Sequence, residues 1–307
     1  MSVIKTNPYN QNIELGRVSW YRDYDNALAL SKKQQKPVLL FFQEIPGCST
    51  CINYGREVLS HPLMVEIIEN EFIPLAIYNN KPGKDAEILK RYNEPSWNNP
   101  VTYFIDSEGK SLVNKLANNY DPFSLYNKIN EVFAVIKKEA PLYFNLFKKD
   151  IMLAYGKTTK ALYETPCFWS GETTFAQHPA VYATMPGFIG SREVVDVQYD
   201  SQIISREGLD RFAIEQGFFL IEPSSNFRID KDPQYYLKKT NYRFLPLSYA
   251  QKTIINYAIP YKENSEKYLS PKQKYWLNNK LLPEFSHPKA YTLPMQQSWE
   301  FLYNSIK

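Results

Sequence analysis

At 307 residues the chain is long enough for two domains of ordinary size, each able to bury a core of its own. Hydrophobic residues at 44% and charged residues at 22% are proportions of a soluble globular protein. The net charge of +4 is spread over interleaved acids and bases, as in SREVVDVQYD and RIDKDPQYYLKK, which excludes the clustered basic face that nucleic-acid binding needs.

In chain order, residues 1–19 read as an irregular lead-in with no apolar signal-peptide run. Tyr21 to Gln35 is amphipathic and helical, and Pro37 ends it. Val38 to Phe42 is a continuous apolar run of the length of a buried strand. A turn on Pro46 and Gly47 leads into Cys48-Ser49-Thr50-Cys51 and a helical pattern to about Leu59. A helix is expected over Leu63–Asn70, a strand over Phe72–Tyr78, a helix over Asp85–Tyr92 and a strand over Val101–Ile105. DSEGK then reads as a hairpin turn, with SLVNKL as the returning strand. Asp121 and Pro122 open a long amphipathic helix reaching about Glu139. The runs VLLFF and GFFLI are too short to cross a bilayer, so no membrane partner is expected, and the expected location is the cytoplasm.

The chain holds three cysteines, and an odd count leaves one thiol unpaired. Two stand as CSTC on the turn after a buried strand; the third, Cys167, is far downstream. Without a secretory signal, this usage points to redox or metal chemistry rather than structural bridges. A cysteine at a helix start has its thiolate stabilised by the helix dipole and free N–H groups. A second cysteine one turn later can attack a mixed disulfide formed by the first. Zinc would need ligands from Cys167 and the three histidines, so no metal and no other cofactor is expected.

This order of elements, with CxxC after a buried strand, resembles the thioredoxin fold over roughly residues 18–138. The resemblance implies that Cys48 and Cys51 are a redox dithiol. It also implies that Pro100, just before a strand in NNPVTYFID, is a cis proline beside that dithiol. The expected division is a thioredoxin-like domain at 1–140, a connector at 141–160, and a second domain at 161–307.

In the second domain, Cys167-Phe168-Trp169 is followed by Glu172, then by Thr184-Met185-Pro186-Gly187-Phe188-Ile189-Gly190 and by the run from Glu193 to Asp200. These stretches resemble peptide methionine sulfoxide reductase of the A class over about residues 161–212, with weaker matches at Asn241-Tyr242-Arg243 and Pro246-Leu247-Ser248. The implied fold class is α/β followed by α+β: a thioredoxin-like domain, then a two-layer reductase-like domain. The implied activity is thiol-dependent reduction of methionine S-sulfoxide, free or in peptides.

Such a reaction needs a thiolate to attack sulfur, an acid to protonate the oxygen, and an apolar pocket for the methyl group. Cys167 supplies the first, and Phe168 and Trp169 an aromatic wall. By the resemblance Glu193 is the acid and Tyr242 a hydroxyl for the oxygen. Phe188 holds a place where the family has tyrosine. His61, His178 and His287 read as structural or surface residues. No cysteine follows Cys167, so recycling falls to Cys48 and Cys51, with an external thioredoxin or glutathione system behind them. An alternative keeps the dithiol active and makes the second domain a binding module for a sulfur compound or a client protein.

Overall fold

The computed structural model describes residues 4–222, 226–279 and 282–306. The chain divides into two compact units, 1–144 and 145–307.

In the first unit, Asp23 caps helix α1 (Tyr24–Gln34) by accepting from Asn26 N, and Lys32 and Lys33 favour its C-terminus. Strand β1 (Val38–Gln43) is buried along its whole length. It is the central strand, parallel to β2 (Ile73–Tyr78) and antiparallel to β3 (Val101–Ile105), which is why its sequence is apolar without alternation. Helix α2 (Ser49–Asn53) follows the turn after β1 and runs on as a π turn over Tyr54–Val58. Helices α3 (Pro62–Glu71) and α4 (Lys84–Arg91) flank β2 in sequence. Asp121 caps α5 (Pro122–Val135) with Pro122 in its first turn, a cap whose removal costs about 1 kcal/mol.

Two expectations need correction. SLVNKL forms no strand: only Ser111 and Leu116 bridge to β3, at Ile105 and Thr102. The returning segment takes five residue steps where β3 takes three, so the ladder bulges and breaks, while Lys115 turns to an ion pair with Glu94. The lead-in is partly built into the fold: Tyr21 bridges Lys5 and Leu75, and buried Trp20 stacks on Phe41 while donating to Leu15 O.

Helix α6 (Leu142–Ala154) crosses the unit boundary. The second unit has an antiparallel sheet, β7 (Phe219–Ile221), β4 (Thr159–Glu164), β6 (Arg192–Tyr199), β5 (Val181–Ile189) and β8 (Arg228–Ile229), in that order. Helix α7 (Phe168–Ala176) packs on β5 and β6 through Phe168 and Phe175, against Tyr163, Val195, Val197 and Tyr199. Helix α8 (Arg206–Glu215) contributes Leu209 and Ala213 to the same core. Helix α9 (Tyr249–Ala258), opened by a Ser248/Gln251 capping box, packs against α7. Helices α10 (Pro271–Leu277), α11 (Leu282–Phe285) and α12 (Met295–Ser305) complete the unit. Among the described residues, no helix is long and apolar enough to cross a membrane.

Candidate functional site

The dithiol sits where β1 hands over to α2. Cys48 is the exposed N-cap residue of α2, and Cys51 is buried one turn on. Their sulfurs are 3.5 Å apart. Gly47 is required there, because a Cβ would lie 2.6 Å from both Cys51 Cβ and the Glu44 carbonyl. The Cys51 N–H, together with the Cys51 thiol and Thr50, holds Cys48 below the usual thiol range. Burial, with the neighbouring Cys48 sulfur, pushes Cys51 up to about 12. The pair is therefore split into an accessible nucleophile and a protonated reserve.

Two buried or half-buried carboxylates attend the pair, and neither stood out in the sequence. Glu44 Oε2 lies 4.0 Å from Cys51 Sγ. Glu14, from the lead-in, is 3% exposed and accepts from Gly47 N at 2.7 Å. Glu44, Cys48 and Cys51 bring three donor atoms within 4.8 Å of one another, a set that could hold a thiophilic cation. Such an ion would use the same two sulfurs as the disulfide, so the two chemistries exclude each other.

Pro100 is buried and immediately precedes β3, and Asn99 Oδ1 is 3.6 Å from Cys48 Sγ. The expected cis bond is not there: among the described residues the cis bond is Ile45–Pro46, and Asn99–Pro100 is trans. The two isomers of an X–Pro bond differ by only about 0.5–1 kcal/mol, so sequence alone does not select one.

In the second unit, Cys167 is the half-buried N-cap residue of α7. Glu193 starts the face of β6 that also carries Val195, Val197 and Tyr199, and this alternation turns it toward α7. Its Oε2 accepts from Phe168 N at 2.8 Å, which puts a carboxylate at the first N–H after the cysteine. Phe188 pairs directly across from Glu193 on β5. A row of rings runs from there: Phe188 meets Phe168 edge-on at 5.2 Å, Phe168 meets Trp169 at 5.7 Å, and Trp169 stacks on Tyr235 at 3.9 Å. Tyr235 in turn meets Tyr236 edge-on at 5.3 Å. Cys167, Glu193, Phe168, Trp169 and Phe188 thus share one locality.

Tyr242 is placed elsewhere. Burial raises its hydroxyl, which lies near Ser265 and in the field of Glu266. Tyr236 lies in the field of the Cys167 sulfur: its hydroxyl is raised by burial and next by that sulfur. Tyr236 belongs to a tyrosine pair after Asp232-Pro233, six residues before Tyr242. Glu172, one and a half turns after Cys167, is fully buried, and burial holds it well above the usual carboxylate range.

His61 caps α3, accepting from Leu63 N, and burial lowers it to about 4. His178 accepts from Ala180 N and packs on Phe212. His287 accepts from Lys289 N.

A family model described as "Thioredoxin-like" matches residues 19–107. The N-terminal unit is thioredoxin-like. A "Thioredoxin-related protein DsbJ" of Chlamydia pneumoniae is 24% identical over 83 residues, covering 27% of this chain and 24% of that protein. The aligned stretch thus spans about a quarter of that relative's length. The solved structure of a "DsbH Oxidoreductase" is 23% identical, covers 42% of this chain and 92% of that one, and has a TM-score of 0.34. The thioredoxin-like match encloses both Cys48 and Cys51, which supports a thiol redox role for that pair.

Proposed function

We propose that this chain is a thiol oxidoreductase in which Cys167 reduces methionine S-sulfoxide, free or peptide-bound, and the Cys48/Cys51 dithiol recycles it. The observation that carries the reading is the setting of Cys167: a helix N-cap thiol, a carboxylate on the adjoining N–H, and an aromatic row beside it. Together these are the nucleophile, acid and apolar wall that sulfoxide reduction requires.

The Cys167 thiolate attacks the sulfoxide sulfur while Glu193 gives a proton to the oxygen. Tyr236, rather than Tyr242, donates a hydrogen bond to that oxygen, which makes the lack of a hydroxyl on Phe188 tolerable. The substrate leaves as thioether, and its oxygen stays on Cys167 as sulfenic acid. Cys48 thiolate attacks the sulfenic sulfur and forms a Cys48–Cys167 disulfide, with the oxygen released as water. Cys51 then attacks Cys48, which frees Cys167 and leaves a Cys48–Cys51 disulfide. An external thiol system in a reducing compartment such as the cytoplasm supplies the two electrons that reopen it. Carrying both thiol centres on one chain raises their effective concentration.

The test is to treat Cys51→Ser with methionine sulfoxide and map peptides without reductant. A Cys48–Cys167 disulfide whose yield is independent of protein concentration is the expected product. Oxidised Cys167 without that species would end the relay and favour a second unit that only binds a sulfur compound or client.

A further inference from the structure

The turn that carries Tyr235 and Tyr236 lies against two buried side chains, Glu172 and Asn256. Gln234 adopts φ 52°, a left-handed conformation uncommon outside glycine. Such a turn leaves successive backbone N–H groups pointing inward, and each needs an acceptor. The N–H groups of Tyr236 and Leu237 donate to one atom, Asn256 Oδ1, at 3.0 and 3.1 Å. Those of Gln234 and Tyr235 approach the Glu172 carboxyl, without closing to full hydrogen-bond length. Of these four consecutive amides, two are bonded to Asn256 of α9 and two face the Glu172 carboxyl of α7, and the two helices pack on each other. Glu172 and Asn256 are 0% and 1% exposed.

A carboxyl buried without a cation is costly, and an apolar residue would suit that face of α7 better for stability alone. What Glu172 gains is the turn above it. Through that turn Tyr235 reaches its stack on Trp169, and Tyr236 reaches the field of Cys167.

We propose that Glu172 and Asn256 are positioning residues: together they fix the Gln234–Leu237 turn so that Tyr235 closes the aromatic wall and Tyr236 presents its hydroxyl beside Cys167. The inference rests on the sulfoxide-reduction reading for its kinetic arm and is independent of it for its structural arm.

The kinetic arm measures methionine sulfoxide reduction by the full chain with dithiothreitol, for Glu172→Ala, Glu172→Gln and Asn256→Ala, in wild-type and Tyr236→Phe backgrounds. Glu172→Ala and Asn256→Ala should each lower kcat at least about 10-fold with a smaller change in KM, because orientation matters most in the transition state. Glu172→Gln, a neutral isostere that still offers an acceptor, should stay within about 3-fold of wild type. On the Tyr236→Phe background the further loss from Glu172→Ala should shrink below about 3-fold, since the two changes disable one device.

The structural arm uses iodoacetamide on Cys167 in the Cys48→Ser/Cys51→Ser protein. Loosening the turn should uncover the thiol and speed alkylation at least about 3-fold in both alanine variants. Unchanged alkylation, equal losses in Glu172→Gln and Glu172→Ala, or full additivity with Tyr236→Phe would each overturn the proposal. If Glu172→Ala fails to fold, Asn256→Ala carries the same expectations. A wild-type chain that reduces no sulfoxide would reject the proposed activity, and the alkylation arm would still decide the role of the two residues.

Discussion

The two candidate nucleophiles share a backbone setting and little else. Cys48 and Cys167 are both N-cap residues with extended φ and ψ, and neither side chain makes a capping hydrogen bond. Cys48 stands exposed, with a second thiol 3.5 Å away and the Asn99 side-chain oxygen at 3.6 Å. Cys167 is half-buried, beside a carboxylate and a row of rings, and its unit contains no other cysteine. A helix N-terminus makes a thiol reactive; the neighbours decide what it reacts with. An exposed, paired thiol suits disulfide exchange. A single thiol beside an acid and an apolar wall suits a small substrate that must be protonated as it reacts.

The widest separation comes from removing each nucleophile in turn. Cys167→Ser should reduce methionine sulfoxide turnover by about 1,000-fold or more while leaving disulfide reduction by the dithiol intact. Cys48→Ser should abolish disulfide reduction and also stop sulfoxide turnover with the physiological reductant, which dithiothreitol should restore by reducing Cys167 directly. If Cys48→Ser abolishes turnover with dithiothreitol present, the division of labour is wrong.

Next in size is Glu193→Gln. Loss of a proton donor used in the transition state should lower kcat by roughly 100-fold with little change in KM. Cys48 chemistry, measured as reduction of a protein disulfide, should not change. An unaltered kcat would leave Glu193 as a helix cap only.

How far the sequence carries depends on whether a feature is local. Strand β1 was legible because a central parallel strand is apolar on both faces. Helix α5 was legible because Asp121 and Pro122 write its start. Glu193 entered through the resemblance alone, and its facing toward α7 follows from the alternation along β6. SLVNKL was misread because a bulge is set by pairing with β3, not by β propensity. Tyr236 was missed for a similar reason: its place in the field of Cys167 depends on a turn whose buried neighbours, Glu172 and Asn256, lie 64 positions before it and 20 after it. Glu14 reached the dithiol from a lead-in with no periodic pattern at all.

The smallest effect separates the causes that activate Cys48. Cys48 is held below the usual thiol range first by the Cys51 N–H and only afterwards, against burial, by the Cys51 thiol and Thr50. Cys51→Ala deletes the thiol and keeps the N–H. The thiolate midpoint of Cys48, followed by alkylation rate against pH in a Cys167→Ser background, should therefore rise on this substitution yet remain below that of an ordinary cysteine. The sign follows from charge: each donor stabilises the thiolate, so removing one moves ionisation to higher pH and slows alkylation on the acid side of the midpoint. Wild-type Cys51, at about 12, should contribute no alkylation near neutral pH. A midpoint that reaches the ordinary thiol value in Cys51→Ala would mean the partner sulfur, not the backbone, activates Cys48.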